Sequence, residues 1–142
     1  MASLKLMNIE ELLEEFDFLE DWEERCDFLV DLGFDLPDMA ADDKIEENRV
    51  YGCQSNVWLK IDVKENTPPT IEIIADSDAM IVKGLISVLL TIYSGKTPEA
   101  ILQTDVKSIF HQIGLDQHLS TARKNGLNGM VKRVRELAAQ NV

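Results

Sequence analysis

The sequence predicts an α+β fold, a small antiparallel sheet of about three strands packed against several helices. Three observations predict it. Apolar residues recur at helical spacing between Asn8 and Gly33, the period turns to alternation between Val50 and Ala75, and helical patterning returns from Ala79 to the end. A chain of 142 residues is long enough for one core without staples, so residues 1–142 are expected to form a single domain.

The first helix is expected from Asn8 to Leu19, with Ile9, Leu12, Leu13, Phe16 and Leu19 on one face and Glu10, Glu11, Glu14, Glu15 and Asp17 on the other. Asn8 followed by Glu11 is a loose capping box. Asp21 caps a second helix that Gly33 is placed to end, and Cys26 on its apolar side is expected to pack in the core as a small apolar residue. Residues 34–48, where Pro37 stops the preceding helix and Asp38, Asp42, Asp43, Glu46 and Glu47 solvate the segment, are expected to form a loop.

A short strand is expected around Arg49 to Tyr51. A longer one holds Val57, Leu59, Ile61 and Val63 on its buried face, and a third runs from Thr70 to Ala75 after the turn at Glu65–Pro69. Cys53 then falls in the link between the first and second strands. Ser77 is read as the cap of the next helix, with Asp78 at the positive end of its dipole. That helix is apolar around nearly its whole circumference and is expected to be the central buried one, with Gly84 at a close helix contact and Gly95 at its end. Thr97-Pro98-Glu99 starts a short helix, another covers Val106 to Ile113, and Ser120 begins the last, to about Ala139. Its outer face carries Arg123, Lys124, Lys132, Arg133 and Arg135, so the chain is acidic in front and basic behind, and the two ends are candidates to meet in the fold.

Charge narrows the function classes. Fourteen basic against 26 acidic residues give a net of −12, which disfavours a phosphate backbone or an anionic membrane and favours a partner with a basic or mixed surface. Residues 1–7 carry no basic or apolar signal-peptide regions, and the run from Ala79 to Tyr93 is too short to span a bilayer, so a cytoplasmic location is expected. Two cysteines, Cys26 and Cys53, are too few for a disulfide framework or a Cys-ligated metal site.

Cys53 sits in Val50-Tyr51-Gly52-Cys53-Gln54-Ser55-Asn56-Val57-Trp58, at a turn that a partner can reach. A nucleophilic cysteine needs thiolate, and the net negative charge opposes it. His111 and His118 are the only imidazole bases for a Cys–His hydrolase, each reads equally as a surface or helix-end residue, and a metal site of Cys53 with either lacks a recognisable ligand spacing. The residues themselves leave an accessible thiol on an acidic α+β domain, which suits a binding or carrier protein, including an acidic adaptor with a structural cysteine, more readily than a cysteine-dependent enzyme acting on small molecules alone.

Motifs along nearly the whole chain narrow the choice. They are Asp21-Trp22-Glu23, Leu32-Gly33, Leu36-Pro37, the Val50–Trp58 segment, Asp76-Ser77-Asp78-Ala79, Ile81-Val82-Lys83-Gly84-Leu85, His118-Leu119-Ser120, Arg123 and an Asn125-Gly126-Leu127 turn. In this order the chain resembles the SufE family of sulfur acceptors, which includes CsdE. The resemblance implies an IscU/SufE-like fold, with the likeness to the scaffold IscU one of fold only.

It further implies that Cys53 takes a sulfane sulfur, as a persulfide, from a pyridoxal-phosphate cysteine desulfurase (SufS/CsdA-like). The chain would stimulate that enzyme and pass the sulfur toward an iron–sulfur scaffold complex (SufBCD-like), or, in a CsdE-type role, to another sulfur pathway. The chain is expected to bind no cofactor or metal of its own, the pyridoxal phosphate being the partner's, and to be a monomer or homodimer. It acts as an accessory carrier, with sulfurtransferase chemistry only beside a desulfurase. Gly52, Gln54, Ser55, Asp78 and Arg123 are the candidates for shaping the loop or the docking surface. Helix capping by Asp78 and a surface ion pair for Arg123 are the plainer alternatives. Two positions depart from the family pattern: Cys26 stands where an aromatic residue is common, and Asn56 where Gln is frequent.

Overall fold

The computed structural model describes residues 8–51 and 55–142. Helix α1 (Ile9–Phe18) opens on a complete capping box, in which Glu11 N–H donates to the Asn8 side chain and Asn8 N–H to the Glu11 carboxylate. Asp21 caps α2 (Trp22–Phe34) by accepting from Glu24 N–H at 2.9 Å. Strands β1 (Val57–Lys64) and β2 (Thr70–Ser77) pair antiparallel, from Val57 opposite Ser77 to Lys64 opposite Thr70. Helices α3 (Met80–Tyr93), α4 (Pro98–Gln103), α5 (Val106–Gln112), α6 (Leu115–His118) and α7 (Thr121–Ala139) follow. Among them α6, a single turn after the left-handed Gly114, has no counterpart in the sequence reading.

The expected third strand is reduced to one bridge. Arg49 pairs with Trp58 and Val50 N–H donates to Val57 O at 2.9 Å, after which the chain departs from β1. On the other edge, the segment leaving α3 makes a matching single bridge, Lys96 to Ile71. The sheet among the described residues is therefore two-stranded. Its inner face carries Val57, Leu59, Ile71, Ile73 and Ala75, all buried, whereas Val63 runs past the core and is exposed.

Helix α3 is the centre. Its Leu85, Ile86, Val88, Leu89, Ile92 and Tyr93 are almost inaccessible, and it packs against α1, α2 and β2. The contact with α2 is made by glycines. A Cβ on Gly84 would fall onto the Leu29 carbonyl of α2, and a Cβ on Gly33 would lie 2.7 Å from Met80 O. Gly33 thus does not end α2 as expected; it is a buried residue of the helix interface, and the helix runs on to Phe34. Gly95, at φ 83°, does follow the end of α3.

Three further expectations are corrected. Ser77 does not cap α3: Ala79 is the capping position, and Ser77 Oγ accepts only from Ala79 N–H at 3.2 Å. Asn125-Gly126-Leu127 is no turn, being part of the continuous α7 that Ser120 caps. Cys26 is half-buried, at the margin of the core. Burial and the Asp27 carboxylate push its thiol pKa up, with Glu23 adding to them and Arg123 opposing.

The basic back meets the acidic front through backbone carbonyls rather than through ion pairs. Among the described residues no ion pair joins a carboxylate of α1 or α2 to a cation of α7. Arg133 and Arg135 instead donate to the backbone carbonyls of Glu47 (2.6 Å) and Leu102 (3.0 Å).

One buried charge ties the architecture together. Asp76, 1% exposed at the end of β2, accepts from Met39 N–H at 3.2 Å and Ser77 N–H at 2.8 Å, and pairs with Lys44 (3.4 Å) and Lys83 (3.5 Å). Burial pushes this carboxyl up, but the two N–H donors and the two lysines outweigh it and hold its pKa below the ordinary carboxylate value. As the pH falls, the unfolded chain takes up this proton before the folded one does. The stability Asp76 contributes is therefore complete above the unfolded carboxylate value and is lost as the pH drops through the lower folded value. Urea midpoints measured across that acid range should fall for the wild type. Asp76→Asn should be less stable at neutral pH and show a shallower acid dependence; an unchanged slope would contradict this assignment.

Candidate functional site

Of the predicted site residues, Gly52, Cys53 and Gln54 lie outside the described residues, whereas Ser55, Asp78 and Arg123 lie within them. The chain on either side of residues 52–54 is anchored. On the entering side, Val50 N–H donates to Val57 O at 2.9 Å. There Tyr51 O lies so near α7 that a Cβ on Gly129 would come within 3.0 Å of it. Tyr51 itself is 65% exposed, with the Arg49 guanidinium 5.5 Å above its ring.

On the leaving side, Asp78 holds Asn56 twice: Asn56 N–H donates to Oδ1 at 3.1 Å and Asn56 Nδ2 to Oδ2 at 2.8 Å. The Asn56 carbonyl is held in return by Ser77 Oγ at 2.7 Å and Asp78 N–H at 3.3 Å. Asp78 precedes the capping residue of α3 and spends its carboxylate on Asn56, so the helix-cap alternative is not what the geometry shows. Losing these bonds is expected to cost about 1 kcal/mol of global stability while opening the loop locally. In Asp78→Ala the Asn56 amide should exchange its hydrogen at least about tenfold faster, with core amides of α3 little changed. Equal exchange in wild type and variant would show that the bonds hold nothing.

Ser55 and Arg123, 68 residues apart in the chain numbering, line the same cavity. It lies between α3, which contributes Val82 and Leu85, and α7, which contributes Ala122, Arg123, Gly126, Leu127 and Met130. The recess is shallow, with a cavity volume of about 20 Å³, and it opens on one side to solvent. Its walls are apolar and Arg123 brings the one charged side chain among the described lining residues. A guanidinium in an apolar recess favours a thiolate or another soft anion over its protonated form. Arg123 makes no ion pair among the described residues, against the plainer alternative of a surface pair.

Leu127 and Met130 are core residues whose edges also line the recess, which a sequence pattern does not separate. Gly126, inside a helix where glycine is unfavourable, is the one available signal.

The other candidates for chemistry are engaged elsewhere. His118 stacks on Trp22 with ring centroids 5.1 Å apart, and His111 Nδ1 lies 2.9 Å from Asp116 Oδ2 on the surface. Neither is among the described residues lining the cavity. Among the described residues no three His, Cys, Asp or Glu side chains converge as a metal site, and no helix is long and apolar enough to cross a membrane.

The described residues thus form a helical α+β frame in which Ser55 and Arg123 line one apolar recess. The chain belongs to the SufE family: the family profile, described as an Fe–S metabolism associated domain, matches residues 10–138. An uncharacterized SufE-like protein of Rhizobium etli is 41% identical over 136 residues, covering 95% of this chain and 92% of that one. A second uncharacterized SufE-like protein, from Rhizobium meliloti, is 37% identical over 134 residues, covering 94% and 96%. The solution structure of a hypothetical protein from Thermus thermophilus superposes with a TM-score of 0.74 over 94% of both chains at 22% identity, which speaks to the fold alone. Family membership gives the chain a role in iron–sulfur metabolism, of the accessory sulfur-transfer kind, and implies interaction with a cysteine desulfurase.

Proposed function

We propose that the chain is a single-domain persulfide carrier, that Cys53 is the acceptor, and that it stimulates a pyridoxal-phosphate cysteine desulfurase. The Cys53 thiolate attacks the terminal sulfur of the desulfurase's cysteine persulfide. One S–S bond forms, the enzyme's own S–S bond breaks, and its cysteine leaves as thiolate. The terminal proton stays on the transferred sulfur, so the exchange needs no outside oxidant or reductant. The chain contributes no cofactor; the pyridoxal phosphate that generates the persulfide resides in the partner.

The observation that supports this reading most is the convergence on one apolar recess of Arg123 and Ser55, two residues after Cys53 in the sequence. Arg123 supplies positive charge where the whole chain, at −12, supplies the reverse. Apolar walls suit a persulfide, which stray thiols and oxidants readily consume in open water. Asp78 acts as a positioning residue, fixing the point from which the Cys53 loop emerges, and Gly52 provides the backbone freedom by which the loop turns Cys53 toward a docked partner. The sulfur then passes to an iron–sulfur scaffold complex.

The test is kinetic. Added to a cognate desulfurase with pyridoxal phosphate, cysteine and a reductant, the protein should raise the rate of sulfide release in a saturable manner. A rate unaffected at any protein concentration would remove the proposal.

A further inference from the structure

We propose that the groove running between α5 and α7 docks an acidic amphipathic helix of a partner protein. Two adjoining recesses make it, sharing Lys107 and Asn128. Helix α7 lends Leu127, Val131, Arg135 and Ala139, each four residues after the last, which is the stripe one helix offers another, with Lys132 beside it. Phe110 of α5, with Leu115 and Leu119 beyond it, supplies the opposite apolar wall. From Lys124 to Ala139 the groove follows α7 for about 22 Å, room for roughly four turns of a docked helix.

Charge selects the occupant. Lys44, Lys60, Lys64 and Lys83 each pair with a carboxylate. Lys107, Lys124 and Lys132, all in the groove, have no carboxylate within 4.0 Å among the described residues. Arg135 adds a fourth cation, although it already donates to Leu102 O. The acids present are Asp116, held by His111, and Glu136 toward the far end. On a chain of net charge −12 this is a local positive strip with an apolar floor. A nucleic acid would meet that overall charge unfavourably and make no use of the floor. A carboxylate-rich helix with one apolar stripe matches both features. A second copy is a poor occupant, because the chain's own acidic amphipathic helix, α1, already buries Leu12 and Phe16 in its core. Leu127 lines both this groove and the cavity beside Ser55, so a helix seated here would rest on the back of that cavity's wall.

The test uses a fluorescein-labelled synthetic helix of about 15 residues, with leucines at coiled-coil spacing and glutamates elsewhere, and its Glu→Lys counterpart. Fluorescence anisotropy at low salt should show saturable binding of the acidic peptide and none of the basic one. The double variant Lys107→Glu/Lys132→Glu changes two exposed side chains and should weaken binding at least about tenfold, with circular dichroism reporting an intact fold. The proposal is overturned if the two peptides bind alike, if the charge-reversed protein binds as wild type, or if no saturation is reached by about 1 mM. It is also overturned if sedimentation shows self-association that the double variant abolishes, since a second copy would then fill the groove. No desulfurase enters these measurements, so their outcome stands apart from the sulfur-carrier reading.

Discussion

Cys53→Ser is expected to reduce desulfurase stimulation to the level of the desulfurase alone. A serine hydroxyl remains protonated at neutral pH, is a poor nucleophile toward sulfur, and cannot form a persulfide, so the variant keeps the shape of the acceptor without its chemistry. The other thiol does not replace it. Cys26 is half-buried on α2, and burial together with Asp27 and Glu23 holds it as a thiol in spite of Arg123. Cys26→Ser should therefore stimulate as wild type does, and the pair of variants separates the two cysteines in one rate measurement. Thermal midpoints taken alongside distinguish lost chemistry from lost structure. Full stimulation by Cys53→Ser would dismiss the carrier mechanism.

Gly84→Ala is expected to destabilise the protein by about 3–4 kcal/mol, a large share of a domain's total of roughly 5–15 kcal/mol. Helix propensity alone predicts the opposite sign, a gain of roughly 0.5–1 kcal/mol for removing a glycine from a helix interior. Geometry decides between them. The added Cβ would overlap the Leu29 carbonyl, with Leu29 C at 2.6 Å and Leu29 Cα at 3.0 Å. These are backbone atoms, which cannot rotate aside, so α2 must move off α3 and loosen the most buried layer of the core, including Leu29 and Val88. Urea denaturation checks the sign directly. A variant as stable as wild type would mean that α2 and α3 do not approach this closely.

The elements whose ends are governed by local chemistry were legible in the sequence. Asn8 with Glu11, Asp21, Thr97 with Pro98, and Ser120 announce helix starts through bonds that span three residues, and each starts a helix. The uniform apolar character of α3 likewise foretold its central position. Errors arose where the deciding contact lies far along the chain. Arg49 to Tyr51 reads as strand, yet a three-residue alternation carries no information about where pairing stops, and it stops after one bridge. Gly33 has the look of a helix stop, whereas its role is to let Met80 approach.

The candidate site was legible in a different way. Ser55, Asp78 and Arg123 were named through the family resemblance, and the structure adds what the resemblance left open. It sets Ser55 and Arg123 on one cavity and assigns Asp78 to the loop's outgoing end. The apolar walls of that cavity were invisible beforehand, because a leucine lining a recess and a leucine filling a core leave the same mark in a sequence.

Everything in the proposed mechanism depends on the Cys53 Sγ being the atom that receives sulfur. Incubation with a cognate desulfurase, pyridoxal phosphate and sulfur-labelled cysteine, followed by alkylation, proteolysis and peptide mass spectrometry, locates that atom. The prediction is label on the peptide containing Cys53, as one added sulfur that a thiol reductant removes, and none on the peptide containing Cys26. Label on Cys26, or a Cys53 peptide that stays unmodified while the desulfurase turns over, would contradict it.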